Sequence, residues 1–74
     1  MSKKIRVGNL PPHVTVSDLK DRFSRYGLVS FVVFIKDEPG CATIEMADPD
    51  SATKAIARLN FSCFEGQVIS VSAL

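Results

Sequence analysis

The stretch from Pro39 to Met46 most strongly limits what this chain can fold into, because it joins a turn signal to an alternating strand pattern. Successive side chains of a strand point to opposite faces of a sheet. Ala42, Ile44 and Met46 are apolar and predict a buried face. The residues that alternate with them are small or polar and predict an accessible face: Cys41, Thr43 and Glu45.

The residues from Glu38 to Cys41 are typical of a type II turn. Pro39 stands at the second position and Gly40 at the third, where the backbone needs a positive φ. The preceding run from Leu28 to Lys36 is rich in valine and phenylalanine, which favour strands. We therefore expect two antiparallel strands joined as a hairpin by this turn.

Chain length and hydrophobicity favour one small soluble domain over residues 1–74. A chain of 74 residues buries only about 60% of its unfolded surface, so its core is small. The longest apolar run, residues 28–35, is shorter than the roughly 20 residues that cross a bilayer, and no secretion signal follows Lys3 and Lys4. We expect an intracellular protein, nuclear or cytoplasmic, with no membrane partner.

Chemistry-bearing residues are sparse in the sequence. Two cysteines, Cys41 and Cys63, are too few for a disulfide framework, and with His13 they do not make a four-ligand zinc site. There is no Ser/His/Asp set, no cysteine with a nearby base and no phosphate-binding glycine loop. We therefore predict free thiols, no metal, no cofactor and no enzymatic activity.

The net charge of +1 hides an asymmetry between the two halves of the chain. Residues 1–36 carry a net charge of +5, and residues 37–74 carry −4. A strongly basic domain would itself indicate nucleic-acid binding. Because this chain is nearly neutral, electrostatics favours at most a local basic patch and weak binding.

The remaining elements follow from capping residues and apolar spacing. A strand begins at Ile5, and a helix follows with Thr15 as N-cap, Val16, Leu19, Phe23 and Tyr26 on its apolar face, and Gly27 as its stop. A second helix has Asp48 as N-cap and ends near Asn60. Residues 67–73 predict a last strand.

The element order is therefore βαββαβ. Right-handed crossovers around a central hairpin predict an α+β, ferredoxin-like sandwich, in which a four-stranded antiparallel sheet carries two helices on one face. The strands that begin at Ile5 and Cys41 should pair at the centre of the sheet. The predicted core between sheet and helices consists of Ile5, Val7, Leu19, Phe23, Phe34, Ala42, Ile44, Ile56, Leu59, Ile69 and Val71.

These features resemble the RNA-recognition motif (RRM) domain over essentially the whole chain. Residues 5–10 resemble its hexamer motif, and residues 39–46 stand where its octamer motif belongs. The resemblance implies single-stranded RNA as a partner, with bases stacked on aromatic side chains at three positions of these motifs. Here those positions hold Arg6, Cys41 and Thr43, and Pro39 replaces the basic residue that opens the octamer.

The resemblance therefore implies a nucleic-acid-binding module of weak or atypical mode, which uses the open sheet face, Arg6 and loops. Arg6 can stack on a base or pair with a phosphate, and the alternative is a solvent-exposed strand residue paired with Glu45. The candidate binding residues are Arg6, Gly8, Asn9, Val33, Ile35, Lys36, Cys41, Thr43 and Ser72. Two further residues have open roles. Phe31 is a candidate surface aromatic, and Phe61, which stands where the family usually has glycine, either covers the edge of the core or is exposed for a partner.

The alternative function is a protein–protein interaction module that keeps the fold and has lost RNA stacking. One version of this class binds a tryptophan-bearing peptide through an Arg-x-Phe motif before the last strand. The matching residues here, Ser62-Cys63-Phe64, keep the phenylalanine and lack the arginine, which disfavours that version.

Overall fold

The computed structural model describes residues 2–74, which form a four-stranded sheet, two helices and a short hairpin. In chain order the elements are β1 (Lys4–Gly8), α1 (Val16–Phe23), β2 (Val29–Phe34), β3 (Ala42–Met46), α2 (Pro49–Leu59), β4 (Cys63–Phe64), β5 (Gln67–Val68) and β6 (Ser70–Ala73).

The main sheet has the strand order β2-β3-β1-β6, with every neighbouring pair antiparallel. β1 and β3 therefore lie at its centre, as the sequence predicts. Residues of both helices share one buried cluster with the inward side chains of the strands. The predicted α+β, ferredoxin-like fold is confirmed, and the opposite face of the sheet is left open.

The β2–β3 hairpin closes with the predicted turn. Gly40 has φ +79°, and the Cys41 N–H donates to the Glu38 carbonyl over 3.1 Å. These are the features of a type II turn. Regular pairing stops at Phe34, so β2 is shorter than the predicted run to Lys36, although the Ile35 N–H still bonds to the Cys41 carbonyl at 3.0 Å.

The core contains most of the predicted residues, and Phe34 is the clear error. Phe34 pairs with Ala42 and so faces the helix side, but 37% of it is exposed. The reason is that β2 is an edge strand, and Phe34 lies at its end beside a cavity of about 430 Å³. Ile56 is only partly buried against the core, and Leu10 and Phe64 are buried in addition to the predicted set.

Helix α1 begins as predicted and ends earlier. Thr15 and Asp18 form a reciprocal capping box, in which each side chain accepts a hydrogen bond from the other's backbone N–H. The helix stops at Phe23 rather than at Gly27, and Val16 is 45% exposed and is not part of the buried core. Gly27 has a different role: a Cβ there would collide with the Ser51 side chain of α2.

Helix α2 begins at its predicted cap. The Asp48 carboxylate accepts hydrogen bonds from the Ser51 N–H at 2.8 Å and from the Ser51 hydroxyl at 3.0 Å, and Asn60 is the C-cap. The Ser51 N–H, followed by its hydroxyl, holds the pKa of Asp48 below its ordinary value. Among residues 2–74, no helix is long and apolar enough to cross a membrane.

The predicted last strand is divided in two. Gln67–Val68 pairs with β4 as a separate hairpin, and only Ser70–Ala73 joins the main sheet. Between them, the Ile69 N–H donates to the Ser62 carbonyl at 3.0 Å. The side chain of Ile69 remains buried, so the inward position that the alternation predicts is retained.

Candidate nucleic-acid interface

The open face of the sheet is built from three rows of side chains that run across the four strands. The middle row follows directly from the strand register. Val33 pairs with Thr43, Thr43 with Arg6, and Arg6 with Ser72. Four of the predicted binding residues therefore stand in one line across the whole sheet, and Val33 is 53% exposed.

The row at the loop end of the sheet contains the small predicted residues. The Ile35 N–H bonds to the Cys41 carbonyl at 3.0 Å, and Gly8 pairs with Ser70. A Cβ on Gly8 would stand 2.9 Å from the Ser70 hydroxyl, so a larger residue would crowd this row. A shallow cavity of about 250 Å³ opens here, lined by Arg6, Gly8, Asn9, Cys41, Ser70 and Ser72.

The row at the opposite end depends on a β-bulge. Val29 pairs with Met46 and Phe31 with Glu45, so β2 contains one extra residue, Ser30. The bulge turns Val29 toward the helices and leaves Phe31 on the open face, where it is 41% exposed. Lys4 is the next partner of Glu45 in the same row.

Arg6 is held by a different partner from the one the sequence suggests. Its Nη2 donates to Glu38 Oε2 at 2.8 Å and contacts Cys41 Sγ at 3.8 Å, so the alternative that paired Arg6 with Glu45 is wrong about the partner. The hydrogen bond and charge of Glu38 raise the pKa of Arg6, so its charge is secure. Both side chains are about half exposed, at 48% and 50%. The ion pair is therefore open to competition from a ligand.

Asn9 is engaged by the hairpin of β4 and β5. Its Nδ2 donates to the Val68 carbonyl at 2.6 Å, and Gln67 Nε2 donates to the Asn9 carbonyl at 2.8 Å. Asn9 also has φ +61°, a conformation that asparagine tolerates better than most residues. These contacts fix the end of β1 against the hairpin. Asn9 also lines the cavity, and its Oδ1 accepts a longer hydrogen bond, 3.5 Å, from Gln67 Nε2.

Several other candidates lie away from the rows. Lys36 is exposed in the β2–β3 loop, and His13 is exposed in the loop before α1. Tyr26 packs partly against the core, as the sequence predicts. Phe61 is 76% exposed and has φ +63°. The question that the sequence leaves open at Phe61 is thereby answered: the ring is exposed and does not cover the core.

Phe64, the phenylalanine of the Ser62-Cys63-Phe64 stretch, is buried beside Arg22. Phe64 is only 3% exposed, and the Arg22 guanidinium lies 4.6 Å from the centre of its ring.

Sequence reasoning missed two features of the site. The bulge at Ser30 fixes which face Phe31 occupies, and alternation alone does not locate bulges. The contact of Glu38 with Arg6 bridges residues 32 apart in the chain. The sequence feature that indicates this contact is the turn at Pro39, because the turn brings the Glu38 carboxylate back toward the central strands.

Comparison with known proteins agrees with this architecture. The family model for the RNA recognition motif matches residues 5–70. The serine/arginine-rich splicing factor RSZ21 of Arabidopsis thaliana is 37% identical over 57 residues, which are 77% of this chain and 30% of that protein. The RNA-binding protein Rsf1 of Drosophila melanogaster is 35% identical over 68 residues, 92% of this chain and 34% of that protein.

Solved structures have the same fold. The crystal structure of the RNA-binding protein PG1 has a TM-score of 0.91 at 32% identity, covering 99% of this chain and 94% of that chain. The third RRM domain of Mip6 gives a TM-score of 0.90 at 28% identity, covering 99% of this chain and 94% of its own. Since the family model covers nearly the whole chain and the sheet order agrees, the chain belongs to the RNA recognition motif family.

Proposed function

We propose that this chain is a single-stranded RNA-binding module of atypical mode, which uses the open sheet face, Arg6 and loops. The observation that carries the proposal is the middle row, in which Arg6 stands between Thr43 and Ser72 at the centre of an uncovered sheet. The relatives named as an RNA-binding protein and as splicing factors support RNA as the ligand and a nuclear or cytoplasmic setting.

The atypical mode follows from the residues of the row. Each base–aromatic stack contributes roughly 1–3 kcal/mol, and the three usual stacking positions hold Arg6, Cys41 and Thr43. A guanidinium can stack on a base and still donate to a phosphate. Both contacts of Arg6 within residues 2–74 use Nη2. In this proposal the other N–H groups of the guanidinium donate to the RNA.

Replacement of Arg6 by alanine tests the proposal. We expect Arg6→Ala to weaken binding of a short single-stranded RNA at low salt by at least about tenfold, because the charged donor at the centre of the face is lost. Affinity is measured by fluorescence anisotropy, and chemical-shift perturbation of the wild type locates the contact. The matched control is Arg58→Ala, which removes the same charge from the exposed side of α2.

Two results would contradict the proposal. One is equal weakening by Arg6→Ala and Arg58→Ala, which would indicate only non-specific attraction to the charge. The other is a wild-type spectrum in which RNA shifts no resonance of the open face.

The second candidate function is a protein–protein interaction module on the same fold. The observation in its favour is Phe61, a large ring 76% exposed in a backbone conformation that favours glycine. A residue kept there at a conformational cost has a surface role in this candidate. RNA pools that leave the sheet unperturbed would favour it, and shifts confined to the open face would count against it.

A further inference from the structure

We propose that Phe31 and Glu45 form a subsite that selects a guanine base of single-stranded RNA. This inference rests on the proposed function and adds the identity of one base to it. The subsite lies in the row at the end of the sheet away from the shallow cavity. This row is two residues along the strands from the row of Arg6 and Thr43. None of the three usual stacking positions of the family is part of it.

The first component is an exposed ring on the open face. Among the aromatic residues of the sheet, Phe34 faces the helix side, whereas Phe31 pairs with Glu45 and shares the face of Arg6 and Thr43. With 41% of its surface exposed at the edge of the sheet, its ring offers a flat apolar surface to a base. Stacking of this kind accepts any base, so Phe31 supplies affinity and not selection.

The second component is a partly exposed carboxylate beside that ring, with no side-chain partner among residues 2–74. Directly opposed residues of antiparallel strands have Cβ atoms about 4.5–5.5 Å apart. Glu45 is therefore next to Phe31, with Lys4 on its other side. Within residues 2–74, no side chain donates a hydrogen bond to Glu45, and no ion pair of 4.0 Å or less reaches it, although Lys4 stands opposite. Both of its oxygens are left to accept hydrogen bonds from a ligand.

Guanine matches this pair of components. A carboxylate accepts two parallel hydrogen bonds from adjacent donors. The Watson–Crick edge of guanine presents two adjacent donors, N1–H and the N2 amino group. Adenine, cytosine and uracil each place a ring or carbonyl acceptor next to their donor, which the carboxylate repels. A guanine stacked on Phe31 therefore directs its donors at Glu45, and single-stranded RNA is the form in which this edge is free.

The experiment compares the pentanucleotides UUGUU, UUAUU and UUCUU for binding to the intact chain. For the wild type we expect UUGUU to bind about tenfold or more tightly than UUAUU, the range for hydrogen bonds to a charged acceptor. Glu45→Gln should bring this ratio close to one while leaving UUAUU affinity nearly unchanged or slightly higher. Inosine lacks the N2 amino group of guanosine. Replacing the guanosine of UUGUU by inosine should therefore reduce the affinity for the wild type and change it little for Glu45→Gln.

Phe31 is tested with two variants and a control on the same strand. Phe31→Ala should lower the affinity for all three oligonucleotides by roughly fivefold or more. Phe31→Tyr keeps the ring and should bind them with an affinity close to that of the wild type. Phe34→Ala is the matched control, since it removes the same side chain from the other face of β2. Circular dichroism confirms that each variant is folded before its affinity is compared.

The outcomes separate this inference from the proposed function. RNA binding that falls with Arg6→Ala, but shows no guanine preference or keeps it in Glu45→Gln, would overturn the subsite and leave the RNA-binding module intact. Equal losses in Phe31→Ala and Phe34→Ala would also overturn the subsite. A wild type that binds none of the three oligonucleotides would overturn the subsite, and the proposed function would fall with it if RNA also shifts no resonance of the open face.

Discussion

At the scale of single residues, Glu38 competes with RNA for Arg6. Its carboxylate holds Arg6 Nη2 at 2.8 Å, and both side chains are half exposed. A phosphate or base that uses the same guanidinium must displace this partner. An exposed ion pair of this type is weak, so the barrier it adds to binding is small.

We therefore expect Glu38→Gln to raise RNA affinity by about two- to fivefold at low salt, with less effect at high salt. The neutral amide keeps the side chain's shape and removes the charge that attracts Arg6. Asp37→Asn is the matched control, because it removes a neighbouring loop charge that makes no hydrogen bond to Arg6. Equal gains in the two variants, measured by anisotropy, would show that only net charge matters.

At the scale of elements, the cap of α2 makes stability depend on pH. Hydrogen bonds from Ser51 lower the pKa of Asp48 in the folded chain below its value in the unfolded chain. The unfolded state therefore binds the proton more readily. The cap's contribution is fully present above the unfolded pKa and is lost as the pH falls through the lower, folded pKa.

We expect Asp48→Asn to lose less stability than the wild type when the pH is lowered from about 5 to about 2. Asparagine still accepts at the N-cap but cannot be protonated in this range. Urea unfolding monitored by circular dichroism at several pH values measures the difference. Asp50→Asn, which changes the carboxylate two residues after the cap in the first turn of α2, is the control. Parallel pH profiles for wild type and Asp48→Asn would contradict this role of the cap.

Local chemistry determines which elements can be predicted from sequence. Thr15, Asp48 and the Pro39-Gly40 turn were identified because capping and turn signals act within a few residues. The exposure of Phe34 depends on which strand lies at the edge, and the requirement for glycine at Gly27 depends on how closely it approaches α2. Those are properties of the assembled layers. Alternation therefore gives the correct face for Phe34, and only the fold determines how much of it is covered.

The candidate site follows the same division. Alternation placed Arg6, Thr43 and Ser72 on one face, and the register shows that they share one row. The partner of Arg6 could not be identified in this way, because loop side chains have no fixed period. Glu38 reaches Arg6 only through the conformation of the β2–β3 loop.

At the scale of the whole molecule, the near-neutral charge limits how binding responds to salt. Among residues 2–74, the basic side chains on or beside the sheet strands are few: Lys4 and Arg6 on β1, Lys3 just before it, and Lys36 just after β2. Each phosphate contact with a single strand adds about −0.7 to the slope of log affinity against log salt concentration.

We expect a total slope between about −1.5 and −3, corresponding to roughly two to four contacts. Titrations of one oligonucleotide at four salt concentrations between about 50 and 300 mM measure it, with Arg58→Ala as a variant whose slope should match the wild type. A slope steeper than about −4 would require six or more contacts and would contradict the charge distribution.

The extra residue in β2 also bears on the solubility of the chain. β2 is an edge strand, and its sequence Val29–Phe34 contains no charge and no proline. A flat strand of this composition is a template on which other chains can add and aggregate. The bulge at Ser30 bends and twists the strand, so only its second half presents a regular edge. The residue that turns Phe31 outward therefore also shortens the surface available for edge-to-edge aggregation.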